Sequence, residues 1–399
     1  MLNKNYILLW IGQFISQIGN RLYLMALAWY FVAVLNNNNG LFLLFIISSL
    51  PSLLLGIFAG PLIEKWNKKR IIVVCDILSG ILTALLALIV YQELNYLPLV
   101  YLICFLLNSI NLLFSPSVNS ILPDLLPSSG LQKGMSYMKM ITFLGQILGA
   151  AIGGILVGLW GVCITILVNS ISFFISAGAS LFISYSPKIR QISNNYLLVM
   201  KEGLSYVKNN PLIYKLLTIT ISSNLFIPVI VVLIPIIIKQ NMGLDAIHFG
   251  IADAMLPLGA IIIAFLLSKS KKEIKPLKIL SLGIAGVAIC FIGTACFQYY
   301  AIILVCMLLY GCLINYINIK IITYFLRTVD GNYRGRFFSI LESFSYASIS
   351  ISYVIVSITS DIFSANISLI ISGIGLLIVS YLAYYWSSSK KFKTQKITD

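Results

Sequence analysis

The sequence predicts an all-helical membrane protein of twelve transmembrane helices in two pseudo-symmetric halves of six. Three observations carry this. The 399 residues are 59% hydrophobic and only 10% charged, with a mean hydropathy of +0.98. A water-soluble chain of that size cannot hide so much apolar surface, so its solvent is lipid. The apolar residues also fall into runs matching the roughly 20 residues needed to span a bilayer. These cover about 6–33, 41–63, 71–91, 98–122, 134–158, 161–184, 212–237, 247–268, 278–297, 300–325, 336–359 and 364–386. Finally, the cations are one-sided. With a cytoplasmic start, the outer connections hold one cation, Lys239, and nearly all other Lys and Arg fall in inner loops or tails. That is the positive-inside pattern and places both termini in the cytoplasm.

The net charge of +15 therefore reflects topology and contact with anionic lipid, not nucleic acid. The seven cysteines all lie in apolar runs without a Cys-x-x-Cys spacing, which suits packing rather than disulfides. One histidine, His248, makes no metal site. No phosphate-binding loop, nucleophile elbow or His-Glu-x-x-His is present, so no enzyme and no cofactor is expected. The first run lacks a small-residue cleavage site and reads as span 1.

Span 1 carries Gln13, Gln17 and Arg21 at spacing four, with Ser16 and Asn20 beside them, a polar stripe on one helix face. Arg21 lies deep in the span, where a charge faces a cavity or clamps to another helix. The loop after span 2 runs Gly60-Pro61-Leu62-Ile63-Glu64-Lys65-Trp66-Asn67-Lys68-Lys69-Arg70. Asn67 suits a left-handed turn. Asp76 follows early in span 3, as a structural partner for these cations. Span 4 has the clearest stripe, Asn108, Asn111, Ser115 and Asn119 at steps of three, four and four. In span 5, Gly145, Gly149 and Gly153 share a face, with Gly154 beside them, and form a surface for close helix packing.

Residues 1–186 make the first bundle, 187–211 a basic amphipathic cytoplasmic linker and 212–399 the second bundle with a basic tail. Five lysines between Ser268 and Lys278 repeat the first charged loop in degenerate form. Span 7 has Ser222, Ser223 and Asn224, then Pro228 and Pro235, which break or kink a span. Asp253 is a lone acid in span 8. Span 10 places Asn315 and Asn318 on one side and Tyr316, Lys320 and Tyr324 at spacing four. Span 11 holds Glu342.

The loop Gly60–Arg70 resembles the signature between helices 2 and 3 of the major facilitator superfamily, Gly-x-x-x-Asp-Arg-x-Gly-Arg-Lys-Arg, with Glu64 for Asp and Asn67 for Gly. Gly145 to Gly154 resembles its antiporter motif, with Ala150 where proline is usual. Gly19-Asn20-Arg21 resembles a Gly-Asp-x pattern of the drug-efflux branch, with Asn20 replacing the acid. Pro123-Asp124-Leu125-Leu126-Pro127 and Lys201-Glu202-Gly203-Leu204-Ser205-Tyr206 resemble the macrolide-efflux and siderophore-exporter branch.

The resemblance implies that spans 1, 4, 7 and 10 line a central cavity. Its expected residues are Gln17, Asn20, Arg21, Asn108, Asn111, Ser115, Asn224, Asn315, Tyr316 and Lys320. It further implies a cytoplasmic gate of Gly60, Glu64, Lys65, Lys68, Lys69, Arg70, Asp76 and Asp124. Asp253 and Glu342 are the expected proton carriers, since a carboxyl desolvated in a span can titrate. The expected function is monomeric, proton-coupled export of an amphipathic small molecule (drug, antibiotic, siderophore or peptide-like) across a bacterial plasma membrane. A lipid or lysolipid flippase, and a non-transporting immunity or sensor protein on the same fold, remain alternatives.

Overall fold

The computed structural model describes residues 4–92, 96–185, 204–269, 275–330 and 333–388. Besides a helical stretch over 204–209, twelve α-helices can be numbered among the described residues: α1 Lys4–Trp29, α2 Asn38–Lys65, α3 Lys68–Tyr91, α4 Leu97–Leu125, α5 Ser128–Leu181, α6 Pro211–Ser223, α7 Val229–Ile236, α8 Ala246–Lys269, α9 Pro276–Cys296, α10 Tyr300–Thr328, α11 Arg334–Ile362 and α12 Ala365–Ser388. No strand occurs among the described residues.

These helices are not the twelve expected spans one for one. By length and composition, nine segments among the described residues can cross a membrane. The difference has three physical causes. Span 1, as α1, is long enough at 26 residues, but its Gln13–Arg21 stripe lowers its mean hydropathy. Spans 5 and 6 form one continuous element, α5, cornered at Gly161, whose φ of 81° and ψ of 174° are open to glycine at little cost. Span 7 is divided into α6 and α7 by turns over 224–228. Pro228 ends the break, where its missing N–H leaves the Asn224 carbonyl without a helical donor, and the Ile227 carbonyl accepts from the Tyr310 hydroxyl at 3.5 Å. Pro235 lies within α7, and a π-helical turn, Ile237–Asn241, follows it.

The chain groups into two compact units, Met1–Asn195 with Ile234–Pro257, and Tyr196–Leu233 with Leu258–Asp399. In the first unit α1 lies against both arms of α5, α2 packs on α4, and α3 packs on α4 and α5. In the second, α9 packs on α10 and α12, and α6 on α11 and α12. The pairings correspond. Ser170, in the second arm of α5, donates to Gly80 O on α3 at 2.7 Å. Ser380 on α12 donates to Ser281 O on α9 at 2.8 Å. The same inter-helix bond thus links spans 3 and 6 and spans 9 and 12, as expected of a repeated unit.

Helix α1 is held by small residues. A Cβ on Gly149 would fall 2.6 Å from Ile18 O and Arg21 Cβ, and one on Gly145 2.7 Å from Gln17 Cβ. Behind it, Gly12 and Gly19 meet Ser176, Ser172 and Asn169. Gly154 faces another neighbour: a Cβ there would lie 2.7 Å from Ala246 O on α8. Only glycine admits backbones this close. Large apolar side chains such as Leu85, Phe174, Phe265 and Ile378 stand exposed along the helices, as acyl-chain contact requires.

Candidate functional site

The first unit encloses a chamber of about 410 Å³, within the ~300–1,000 Å³ range of small-molecule sites. Helix α1 contributes Gln13, Gln17, Asn20 and Tyr23; α4 contributes Asn108, Asn111, Ser115 and Asn119. The two sequence stripes thus meet in one cavity. Helix α3 adds Asp76, Ser79 and Thr83, and α5 adds Met135, Met138, Lys139, Asn169 and Phe173. Amides and hydroxyls beside thioethers and aromatic rings suit an amphipathic ligand. Lys139 is the one cation among the lining residues.

Arg21 does not line this chamber. Its guanidinium is ion-paired with Asp253 of α8, 232 residues away, and Asp253 is buried. Around that pair the first unit builds a latch. Trp29 stacks on Phe249 with centroids 6.0 Å apart, and the Lys239 ammonium lies 5.8 Å over the Trp29 ring. Gln240 and Asn38 exchange two hydrogen bonds, each 3.0 Å, and Gln240 also donates to Asn36 at 3.3 Å. Asp245 caps α8, accepting from His248 N at 3.1 Å. The hydrogen bond from the His248 side chain, then that from its backbone, holds the Asp245 carboxyl below its ordinary range.

The turn between α2 and α3 carries the other predicted charges. Lys68 Nζ pairs with Asp124 Oδ2 at 2.9 Å and donates to Ser120 O at 2.8 Å. Tyr185 donates to the same carboxylate oxygen at 3.1 Å. Lys69 is half-buried and Arg70 exposed. The side chains of Gly60, Glu64 and Lys65 lie outside the described residues, as do most of the 187–211 linker, the lysines between Ser270 and Ile274, and the basic tail. Asn67 is not left-handed: its φ is −68°, and it caps α3 by accepting from Arg70 N at 3.4 Å. Asp76 does not join the loop cations. It is 1% exposed and accepts from the Ser176 hydroxyl at 2.8 Å.

The other predicted residues belong to the second unit. Asn224 sits half-buried at the break between α6 and α7; Asn315, Tyr316 and Lys320 are half-buried on α10, and Asn315 donates to its own helix at Gly311 O, 3.0 Å. Glu342 is exposed on α11. Tyr206, from the described end of the linker, stacks on Tyr333 at 4.7 Å and accepts from Asp330 N at 3.2 Å. Sequence reasoning missed Ser79, Thr83, Lys139 and Asn169. The signal was there: Asn169, Ser172, Ser176 and Ser180 step by three, four and four, as the span 4 stripe does.

Comparison with known proteins places this geometry. The staphyloferrin A transporter of Staphylococcus aureus is 25% identical over 98% of this chain and 96% of its own length. Macrolide efflux protein A of Streptococcus pyogenes is 21% identical over 92% of this chain and 91% of its own. Among solved structures, nucleoside transporter NupG superposes with a TM-score of 0.77 at 13% identity, covering 97% of this chain and 100% of that one. A bacterial homolog of the human lysosomal transporter Spinster gives 0.76 at 14% identity, covering 96% and 97%. The profile of the Major Facilitator Superfamily matches residues 9–353. The chain is a multi-pass membrane protein and belongs to the major facilitator superfamily, a family of transporters and not of enzymes.

Proposed function

We propose that this protein is a proton-coupled exporter of an amphipathic small molecule, acting as a monomer by alternating access in a bacterial plasma membrane. Both termini would lie in the cytoplasm, and the two halves would be six-helix bundles. The observation that carries this reading is the chamber of about 410 Å³, where the amide stripes of α1 and α4 converge beside methionine and phenylalanine. Two full-length relatives named for siderophore transport and macrolide efflux support small-molecule export. They also supply the first two candidates, staphyloferrin A and a macrolide.

Two closures serve the cycle. The latch of Arg21–Asp253, Trp29–Phe249 and Asn38–Gln240 shuts the extracellular end. Lys68–Asp124 belongs to the cytoplasmic gate, with Glu64, Lys65, Lys69 and Arg70 as further members. Export then alternates these closures around the first unit's chamber, and Asn224, Asn315, Tyr316 and Lys320 are the candidate substrate contacts of the second unit. Asp253 and Glu342 are the candidate proton carriers. Protonating Asp253 would remove the charge that holds Arg21 and release the latch.

The test is pH-gradient-driven efflux from proteoliposomes by wild type, Asp253→Asn and Glu342→Gln. Loss of gradient dependence in at least one variant is expected; unchanged transport by both contradicts the assignment. A lipid flippase would instead move labelled lysolipid between leaflets, and a sensor would move nothing.

A further inference from the structure

Four buried polar side chains lining the chamber have an atom without a hydrogen-bond partner: Gln13 Nε2, Asp76 Oδ1, Thr83 Oγ1 and Asn169 Nδ2. Each residue is at most 4% exposed. They come from α1, α3 and the second arm of α5. An unsatisfied buried polar atom costs about 1–3 kcal/mol, so four around one cavity mark a hydrated site. Asp76 is the only carboxylate among the lining residues. Its Oδ2 accepts from Ser176, and its Oδ1 is one of the four open atoms. Among the described residues it has no ion pair; the loop cation Lys68 is committed to Asp124. The other titratable groups lining the chamber are Tyr23 on α1, bonded to Cys104 Sγ at 3.1 Å, and Lys139 on α5; α4 supplies amides and a hydroxyl.

We propose that Asp76 is a proton-binding site of the first unit, reached by water through the chamber and separate from the Arg21–Asp253 latch. A proton passes from chamber water to Asp76 Oδ1, giving a neutral carboxyl whose O–H bonds to water or to the exported molecule. No other bond changes. The open amide N–H groups of Gln13 and Asn169 favour water over a metal cation, which would want oxygen ligands. Substrate and proton would then share one cavity, so that loading one alters the affinity for the other, which is what coupled exchange needs. This rests on the transporter reading above, but its first test does not.

That test is carbodiimide labelling of purified wild-type protein, read by peptide mass spectrometry. The reagent traps protonated carboxyls in apolar surroundings. Asp76 should be modified, at least ~10-fold faster at a pH one to two units lower, and Na⁺ added at constant pH should not protect it. No labelling of Asp76 across the pH range overturns the proposal, and so does protection by Na⁺, which would make this a sodium site. Because the protein is unaltered, misfolding cannot mimic either result. In proteoliposomes, Asp76→Asn should lose gradient-driven transport yet keep substrate exchange without a gradient. A variant that still concentrates substrate against the gradient overturns the coupling role. Labelling of Asp76 in a protein that transports neither candidate leaves the site intact and refutes only the exporter reading.

Discussion

The first unit holds two ion pairs of similar chemistry in different surroundings, and the contrast shows what each can do. Lys68–Asp124 sits at helix ends, with side chains 17% and 19% exposed, backed by the Ser120 carbonyl and the Tyr185 hydroxyl. Arg21–Asp253 lies about 10–12 Å inside α1 and α8, counted from their near ends, and its carboxylate is 9% exposed. Water can take over from either partner of the first pair. It cannot easily do so for Asp253, which alone would be a stranded charge, although Arg21, 20% exposed, is as open as either partner of the first pair. The first pair is thus suited to be made and broken cheaply. The second is suited to be broken only when its charge is removed.

Breaking this contrast should show first at Asp253. Arg21→Gln leaves the buried Asp253 carboxylate without its counter-charge and should cost about 3–5 kcal/mol, read as a fall in unfolding midpoint in detergent. Adding Asp253→Asn should restore most of the loss, because the pair's cost lies in stranding its buried member. Next in size is the packing beneath the latch. Gly154→Leu must push α5 from the Ala246 carbonyl and the Gly250 Cα, 2.7 and 3.0 Å from the new Cβ, and should cost about 1–3 kcal/mol. Gly178→Ala, with nothing within 4 Å, should instead be neutral or stabilise by up to ~1 kcal/mol, as glycine in a helix does when replaced. Lys68→Ala should cost about 1 kcal/mol or less, and should weaken further with salt.

The smallest effect is expected at the outer connector. The folded Asp245 carboxyl is held below its ordinary value, so its contribution is present above about pH 4 and fades as pH falls through the folded value. The side chain is 60% exposed, so Asp245→Asn should shift stability by under ~0.5 kcal/mol and flatten only the acid limb.

Much of this was legible in the sequence because it depends on spacing. The amides of spans 1 and 4 were readable as helical stripes, and they meet in the chamber. Gly145, Gly149 and Gly153 were readable as a packing face, and α1 lies against it. What spacing could not supply was partners. Arg21 and Asp253 are 232 residues apart, and Asp76 and Ser176 are 100 apart; which residues meet is decided by the packing of whole helices. Sequence proximity pairs Asp76 with the nearby cations, whereas its bonded partner is Ser176 on a distant stretch. Asn67 suits a turn by residue type, but its side-chain oxygen serves an open backbone N–H of α3. The division of span 7 followed from its prolines, but only Pro228 interrupts the helix.

If the proposed latch opens in every cycle, locking it shut should stop transport. In a cysteine-free background, Asn38→Cys with Gln240→Cys replaces two side chains already 3.0 Å apart. Everted membrane vesicles carrying this variant can be tested for pH-gradient-driven uptake of a labelled macrolide and of labelled staphyloferrin A. Uptake of at least one is expected, abolished when the cysteines are cross-linked and restored by reductant. Full uptake by the cross-linked protein would contradict opening of the latch.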